Sequence, residues 1–269
     1  MTTRTFATAG VNNLWSNSAN WDTGVPVNTD TAIIPNGQTV EFNVSQSGFA
    51  AGITLQLDGL FTASLTAGAY YLKLQENVTG TGTFRAGTSS VPYPTNCLFT
   101  IYFAAGKAFT GSLIMDINCA EPTYKYIKLS HAEIAGATLL HVDTDVTTDL
   151  WAVGNVIHVD NINKAQQSEE RTIAGGGISS TTITITAGLT ASKLLGAKVV
   201  LLNRNIIITG ALSMPFNGIS AGKVSAYVRS YMGFTSCINL TIGGVLAYSG
   251  TSFGLSYCQS CTFSGVATG

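Results

Sequence analysis

The sequence predicts an all-β protein built as a β-solenoid, a fold in which short strands stack from one coil to the next. Short apolar runs rich in Val, Ile and Thr recur along the chain and end at Gly, Asn or Asp, as short β-strands do. In the first region of the chain they recur at intervals of about 15–20 residues, a spacing typical of solenoid coils. Only 10% of the residues are charged, against about 25% in an average globular domain.

An N-terminal arm at residues 1–13 precedes a first solenoid region at residues 14–122. The Asn36-Gly37 pair lies between two apolar runs and predicts a hairpin or another tight turn. The strands predicted in this region are Ala32–Ile34, Thr39–Phe42, Ile53–Leu57, Tyr70–Leu74, Gly82–Arg85 and Leu98–Phe103.

We expect the solenoid to continue with inserted loops through residues 123–210 and as irregular coils through residues 211–269. Most of Ile33–Phe263 is therefore predicted to form short parallel strands. The run Ser260–Gly265 has no obvious cap, which predicts that a partner or further chain covers it. The strand-like runs of these two regions are Trp151–Asp160, Glu169–Ile173, Thr181–Thr186, Leu202–Gly210, Asn239–Ile242 and Gly254–Tyr257.

Charge and hydropathy narrow the class of partner. The formal net charge of −1 gives no electrostatic reason to expect a nucleic acid or an anionic membrane. No apolar run approaches the roughly 20 residues that a membrane-spanning helix needs, so no membrane insertion is expected. Met1–Phe6 lacks the basic-then-apolar pattern of a secretory signal, which predicts synthesis in a cytoplasm without general export.

Nine short motifs stand in a fixed order within residues 15–210: Trp21, Gly24–Pro26, Asp30, Ile33–Val40, Leu57–Leu60, Gly80–Gly82, Trp151–Ile157, Glu169–Arg171 and Arg204–Ile206. The first six resemble the eight-glycine domain of fibrocystin-like proteins and cell-surface hyaluronan-degrading proteins. The last three resemble segments that follow this domain in the same families. The resemblance implies a right-handed parallel β-helix whose N-terminal coils are the eight-glycine-like region.

The histidines do not follow the pattern of those families. In the families, histidine-containing segments follow the Arg-Asn-Ile stretch, whereas no histidine follows His158 here and the corresponding segment is Ala221–Tyr231. A catalytic or glycan-binding role that depends on those histidines is therefore not implied for this chain. His131, His141 and His158 each lie in or beside a predicted strand without a partner cluster, which favours packing or surface roles.

Asp143, Asp145 and Asp149 are the candidate metal ligands, because a β-helix can align carboxylates for Ca²⁺ or as a glycosidase pair. Alternating Asp and Thr is also ordinary loop chemistry, and we favour that interpretation, so neither a metal nor another cofactor is predicted. Trp15 and Trp21 are candidates for stacking on a glycan. A Trp near the end of a solenoid more often covers the terminal coil.

Three function classes fit the sequence. The first, which we favour, is a structural component of a phage particle, such as a tail spike, a tail fibre or a capsid-attached protein. Its partners are other virion proteins, further copies of the chain (most readily as a trimer) and a host-surface glycan. The second class is a polysaccharide-degrading enzyme on the same fold. The third is a secreted or cell-surface adhesin that binds glycans. Non-enzymatic function is expected because catalysis on a glycan needs a positioned acid–base pair or a metal with its ligands.

Overall fold

The computed structural model covers the 269-residue chain. It describes residues 1–7, 12–162, 167–210, 216–228, 232–235, 237–242, 246–247, 253–256, 258–259 and 261–263. The chain divides into two compact units. Unit 1 consists of Met1–Ala120 and Arg204–Gly269, and unit 2 is the continuous segment Glu121–Asn203 between them.

The first part of unit 1 contains short strands and one 3₁₀ turn at Ser18–Asn20, which begins after the Asn17 cap. The strands are β1 (Thr3–Thr5), β2 (Thr31–Ile34), β3 (Thr39–Phe42), β4 (Thr54–Leu57), β5 (Leu60–Ala63), β6 (Gly68–Leu74), β7 (Thr83–Ala86), β8 (Cys97–Phe103), β9 (Phe109–Thr110) and β10 (Ile114–Asn118).

Unit 2 and the second part of unit 1 supply the remaining described strands. Those of unit 2 are β11 (Tyr126–Lys128), β12 (Leu139–His141), β13 (Val156–Val159), β14 (Glu169–Ile178), β15 (Thr182–Ile185) and β16 (Lys198–Leu201). Those of unit 1 are β17 (Ile206–Gly210), β18 (Phe216–Asn217), β19 (Ala221–Ser225), β20 (Tyr227–Val228), β21 (Met232–Thr235), β22 (Leu240–Ile242), β23 (Leu246–Ala247), β24 (Phe253–Ser256) and β25 (Thr262–Phe263).

The described strands of unit 1 form three stacks, and strands within each stack pair in parallel. The first stack begins with β1-β2-β4 and ends with β9-β18-β21-β24. Isolated parallel bridges at Thr79 and Val78 connect its two parts. The second stack is β3-β5-β7-β10-β19-β22-β25, and the third is β6-β8-β17-β20-β23. Successive turns of the chain contribute one segment to each stack, as β4, β5 and β6 do. The coil that contains β9, β10 and β17 is the one that unit 2 interrupts.

Aromatic side chains fill the core of unit 1, because alternate residues of each strand point inward. Phe61 and Phe84 occupy the same register in neighbouring coils, and their rings stack with centroids 4.6 Å apart. Phe109 and Phe216 repeat the arrangement at 5.7 Å in the first stack. The parallel pairing of unit 1 therefore places like aromatic residues of neighbouring coils on top of each other in the core.

Glycine is required where successive coils turn between the first and second stacks. A side chain at Gly82 would place its Cβ 2.1 Å from the Gly59 carbonyl oxygen, and one at Gly59 would lie 2.3 Å from the Pro35 oxygen. Gly80 has the same crowding and a φ of +124°. The backbones of three coils therefore approach each other more closely than any side chain allows.

Unit 2 is antiparallel throughout its described pairings, in the strand order β11-β16-β13-β14-β15-β12. The two outer strands also meet: Leu129 and Val142 form an antiparallel bridge, and the Asp143 N–H donates to the Lys128 carbonyl at 3.0 Å. The sheet therefore closes on itself around its own apolar core. The largest members of this core include Trp151, Leu140, Ile157, Ile183 and Leu201.

The predicted all-β class is confirmed, and so are the strands predicted in residues 14–122, within one or two residues at each end. Asn36-Gly37 forms a tight turn and not a hairpin, because β2 pairs with β4 while β3 pairs with β5. The parallel pairing predicted for residues 123–210 is wrong between Glu121 and Asn203. Three residues separate β14 from β15, and a parallel connection needs a crossover of a dozen or more.

Among the described residues, no helix has the length and apolar character needed to cross a membrane. Part of the predicted final run, Ser260–Gly265, lies outside the described residues.

Candidate functional site

Trp15 and Trp21, the candidates for stacking on a glycan, are both buried. Trp15 is 0% exposed and Trp21 is 5% exposed. Their rings pack edge to face at 4.8 Å, and the Trp21 indole N–H donates to the Trp15 carbonyl at 2.9 Å. Phe6 and Phe42 complete this cluster. The two tryptophans therefore pack on core residues near the N-terminus, and the interpretation as glycan-stacking residues has no exposed ring to support it.

Asp143, Asp145 and Asp149 each bind backbone N–H groups. Asp143 accepts from the Lys128 N–H at 3.0 Å, and Asp149 accepts from the Thr123 N–H at 3.0 Å. Asp145 accepts from the N–H and the hydroxyl of Thr147, and these hydrogen bonds lower the pKa of its carboxyl group. In the described part of the chain, no three or more His, Cys, Asp and Glu side chains are placed to hold one metal ion.

Glu169 and Arg171 form an ion pair. Glu169 also accepts from Lys193 Nζ at 2.8 Å and from the N–H and hydroxyl of Thr190. Burial alone would raise the pKa of Glu169, but these hydrogen bonds and the charge of Lys193 outweigh it and lower the pKa to about 2. The group is therefore a fixed carboxylate within unit 2.

Partly exposed aromatic side chains lie together on a different surface. Alternate residues of β6, β8 and β17 point away from the core of unit 1 and are half-buried. We call their side chains the tyrosine face. Its members are Tyr71, Lys73, Thr100, Tyr102, Ile207 and Thr209.

Strand register sets the arrangement of the tyrosine face. Lys73 and Tyr102 are register partners on β6 and β8, and Thr209 follows on β17. The ring of Tyr71 lies diagonally from that of Tyr102, with centroids 6.4 Å apart and planes inclined by 23°. Partial burial, and to a smaller extent Tyr102, raises the pKa of Tyr71, so this phenol stays protonated in neutral solution.

Lys73 is held over the Tyr102 ring of this pair. Its Nζ lies 5.7 Å from the centroid of the Tyr102 ring, a cation–π distance. The same ammonium donates to the carbonyls of Phe49 at 2.5 Å and Ala50 at 3.2 Å. Backbone carbonyls therefore fix a positive charge beside a half-buried aromatic ring.

A cleft of about 240 Å³ opens beside Lys73 and Tyr102. Small residues contribute to its lining, among them Gly52 and Ala105, and Gln75 is the polar uncharged residue of the lining. A side chain at Gly52 would place its Cβ 2.5 Å from the Lys73 carbonyl oxygen. The lining of the cleft therefore combines one aromatic residue, a cation fixed by backbone carbonyls and several small residues.

Sequence analysis missed the tyrosine face. The available signal was the alternation Tyr71-x-Lys73 and Thr100-x-Tyr102 at matching positions of two predicted strands. From the sequence, His131 and His141 were also interpreted as unconnected residues, whereas the structure brings their rings together.

No protein-family model and no curated protein matches this chain, so membership of the eight-glycine family stays a prediction. The chain is similar to three solved phage tailspikes. The tailspike gp61 of Pseudomonas phage phi297 is 15% identical over 87% of this chain, with a TM-score of 0.27. The tailspike gp49 of Pseudomonas phage LKA1 is 13% identical over 88%, with a TM-score of 0.28.

The third is the gp54 tailspike of Acinetobacter baumannii bacteriophage AP22, whose structure was solved in complex with A. baumannii capsular saccharide. It is 9% identical over 88% of this chain, with a TM-score of 0.25. The chain spans 37%, 39% and 41% of the lengths of these three proteins. At such identities and TM-scores, no residue role, activity or ligand carries over to this chain.

Proposed function

We propose that this chain is a structural segment of a phage tail protein of the tail-spike or tail-fibre type, and that its tyrosine face binds a host-surface glycan. The observation that carries the proposal is the half-buried Tyr71–Tyr102 pair, with Lys73 fixed beside it at the edge of a cleft. This surface lies on a stack of parallel strands, whose paired backbones hold it rigid.

The fold supports a structural role. Each coil of unit 1 adds one segment to three parallel stacks, and like residues such as Phe61 and Phe84 are superimposed. We propose that these coils form a right-handed parallel β-helix, the hand that parallel crossovers adopt in nearly all proteins. A rigid stack of coils suits a part of a phage particle that has to contact a cell surface.

Chemistry supports a glycan ligand. Sugar rings present C–H faces that pack on aromatic rings, while their hydroxyl groups need hydrogen-bond partners. Tyr102 supplies the ring, and Gln75 in the adjoining cleft supplies polar atoms. The ammonium of Lys73 can attract an acidic sugar, since the carbonyls of Phe49 and Ala50 to which it donates are neutral.

Three carboxylates of unit 1 are held in ion pairs, which favours a scaffold over a hydrolase. Asp30 is paired with Arg4, Asp116 with Arg85 at 2.9 Å, and Glu76 with Lys107. A general acid needs a raised pKa, whereas the pKa of Asp30 is lowered: hydrogen bonds from Arg4 and from backbone N–H groups outweigh its burial. Absence of enzymatic activity stays a prediction, and polysaccharide degradation is the alternative that the experiment below separates.

We further propose that the chain assembles with other virion proteins and with copies of itself as a trimer. Few charges oppose association, since the chain has 13 Lys and Arg and 14 Asp and Glu. Unit 1 also exposes apolar side chains, among them Val91 and Ile114. Sedimentation of the purified chain should give three times the 28.1 kDa chain mass, and a stable monomer at high concentration would argue against the trimer.

The experiment is binding of the purified chain to a panel of bacterial capsular polysaccharides, lipopolysaccharides and hyaluronan, measured by affinity electrophoresis. We expect retardation by at least one polysaccharide. Tyr102→Ala should weaken it at least about tenfold, because truncation of a central aromatic contact commonly costs this much. Tyr124→Ala is the matched control, since Tyr124 is an exposed tyrosine of unit 2.

Each outcome has one meaning. Retardation that Tyr102→Ala leaves unchanged shows that the glycan binds elsewhere. Retardation by none of the polysaccharides contradicts glycan binding. Release of oligosaccharides from any polysaccharide, detected as new reducing ends, contradicts the non-enzymatic role and favours the depolymerase alternative.

A further inference from the structure

His131 and His141 lie against each other in unit 2. Their ring centroids are 4.8 Å apart and their planes are inclined by 64°. His141 ends β12, and His131 follows β11 closely. The Ser130 N–H donates to the His141 carbonyl at 2.9 Å, so the closure of the sheet itself holds the two segments together.

The Nδ1 atom of each imidazole already has a hydrogen-bond partner. His141 Nδ1 lies 2.9 Å from Glu133 Oε1, and His131 Nδ1 lies 3.1 Å from the Ser130 hydroxyl. A carboxylate only accepts, so the neutral His141 ring carries its proton on Nδ1 and has a lone pair on Nε2. The Ser130 hydroxyl can accept as well as donate, so His131 can adopt the same tautomer.

Glu133 is a positioning residue for this pair. Its side chain is only 8% exposed, whereas that of His141 is 41% exposed. Glu133 Oε1 accepts from both the backbone N–H and the ring Nδ1 of His141. A buried carboxylate that orients a half-exposed imidazole is the usual outer-shell arrangement behind a metal-ligating histidine.

We propose that His131 and His141 chelate one borderline divalent transition-metal ion, of the Zn²⁺, Ni²⁺ or Cu²⁺ class, through their Nε2 atoms. Two imidazoles that bind one ion at about 2.1 Å and about 100° place their ring centroids about 5 Å apart, close to the separation in the structure. Imidazole nitrogen favours these ions over Ca²⁺ and Mg²⁺.

The pair supplies two ligands. In the described residues no three His, Cys, Asp and Glu side chains converge on one ion, so water or a partner's side chain fills the remaining positions. Because β11 and β12 are the strands that close the sheet, the ion ties the closure together. Metal binding therefore stabilises unit 2 against unfolding.

The test uses the tag-free full-length chain, which has only three histidines. Titration calorimetry with ZnCl₂ should give one site per chain, and electron spin-echo spectra of the Cu²⁺-loaded chain should show two imidazoles. His131→Asn and His141→Asn should each weaken Zn²⁺ binding at least about tenfold and leave one imidazole in the Cu²⁺ spectrum. Glu133→Gln should weaken binding about 10–100-fold, as loss of an outer-shell partner does.

Asp145→Asn is the matched control, because Asp145 is an exposed carboxylate of the same unit whose hydrogen bonds to Thr147 an amide oxygen can keep. It should bind Zn²⁺ like the unmodified chain. Circular dichroism identifies any variant that fails to fold, and the Cu²⁺ spectrum of the unmodified chain decides the matter without variants. One imidazole or none in that spectrum overturns the proposal, as does a folded double variant His131→Asn/His141→Asn with unchanged affinity.

Discussion

Lys193 Nζ lies 2.8 Å from Glu169 Oε1, and the lysine side chain is 0% exposed. The pair is part of a network in which Glu169 also accepts from the Thr190 N–H and from Arg171. The Lys193 ammonium donates in addition to the Gln167 carbonyl. The charges of Lys193 and Glu169 have thus been removed from water within unit 2, and they compensate each other, with Arg171 as a second cation on the carboxylate.

Loss of the lysine should therefore destabilise unit 2. We expect Lys193→Met to lower its free energy of unfolding by about 3 kcal/mol, because removal of one partner leaves a buried charge poorly compensated. Hydrogen exchange of amides in residues 121–203 measures this. Lys128→Met replaces an exposed lysine of the same unit and should change exchange little. Equal effects of the two substitutions would contradict the account.

Stability of unit 2 should fall in acid. The pKa of Glu169 is about 2 in the folded chain, below its ordinary 4.5. A carboxyl with a lowered folded pKa contributes stability that is complete above its unfolded value and is lost as the pH falls through the folded one. Amide protection in residues 121–203 should therefore decline between about pH 4.5 and 2. Glu169→Gln should flatten that decline, and Glu76→Gln in unit 1 should not.

Gly82 should tolerate no side chain. We expect Gly82→Ala to destabilise unit 1 by about 2–3 kcal/mol, because its Cβ would overlap the Gly59 carbonyl and force neighbouring coils apart. Gly48→Ala is the control, since an added Cβ there meets nothing within 4 Å, and it should stay within about 0.5 kcal/mol. Urea unfolding of both variants compares them, and a neutral Gly82→Ala would show that the coils can separate at little cost.

Unit 2 should fold when removed from the chain. Its core is its own, and its two ends meet, since Tyr126 pairs with Val200 and the Leu201 N–H donates to the Lys125 carbonyl. Residues 121–203 expressed alone should give a β-type circular-dichroism spectrum and a cooperative thermal transition. A segment that stays unfolded or melts without cooperativity would mean that unit 2 depends on unit 1.

Unit 1 should likewise survive when a short Gly-Ser linker replaces residues 121–203. The flanks of the insertion are already tied, because the Ala120 N–H donates to the Asn205 side-chain oxygen at 3.0 Å. Asn205 also donates to the carbonyls of Tyr93 and Pro94. Protection of the amides in β8 and β10 should be unchanged in the shortened chain, and its loss would show that the insertion is needed to order the coil.

Six strands in the first part of unit 1 could be predicted from sequence because burial there follows local signals. Runs such as Thr39–Phe42 alternate inward and outward residues, and glycines mark the turns where coils crowd, as at Gly82. Pairing partners could not be read in the same way. Asn36-Gly37 turns the chain equally well into a hairpin or into the next stack, and only the neighbouring coils decide between them.

The strand pairing of unit 2 was predicted incorrectly because its strands have the same composition as those of unit 1. The length of one connection indicated the correct pairing. Only three residues separate β14 from β15, and so short a connection allows antiparallel pairing only. The tyrosine face and the His131–His141 pair depend on strand register. Tyr71 and Tyr102 are 31 positions apart in sequence (102 − 71), and nothing local indicates that their rings meet.

The most direct test of the central claim, that this chain is a component of a phage tail, is immunogold electron microscopy. An antibody raised against the purified chain is applied to phage particles from a lysate of the host that carries the gene, with pre-immune serum as the control. We expect gold label at the tail or its tip, and peptides of the chain in the purified particles by mass spectrometry. Particles that carry neither label nor peptides, with the chain recovered on the surface of uninfected cells, would contradict the claim and favour an adhesin.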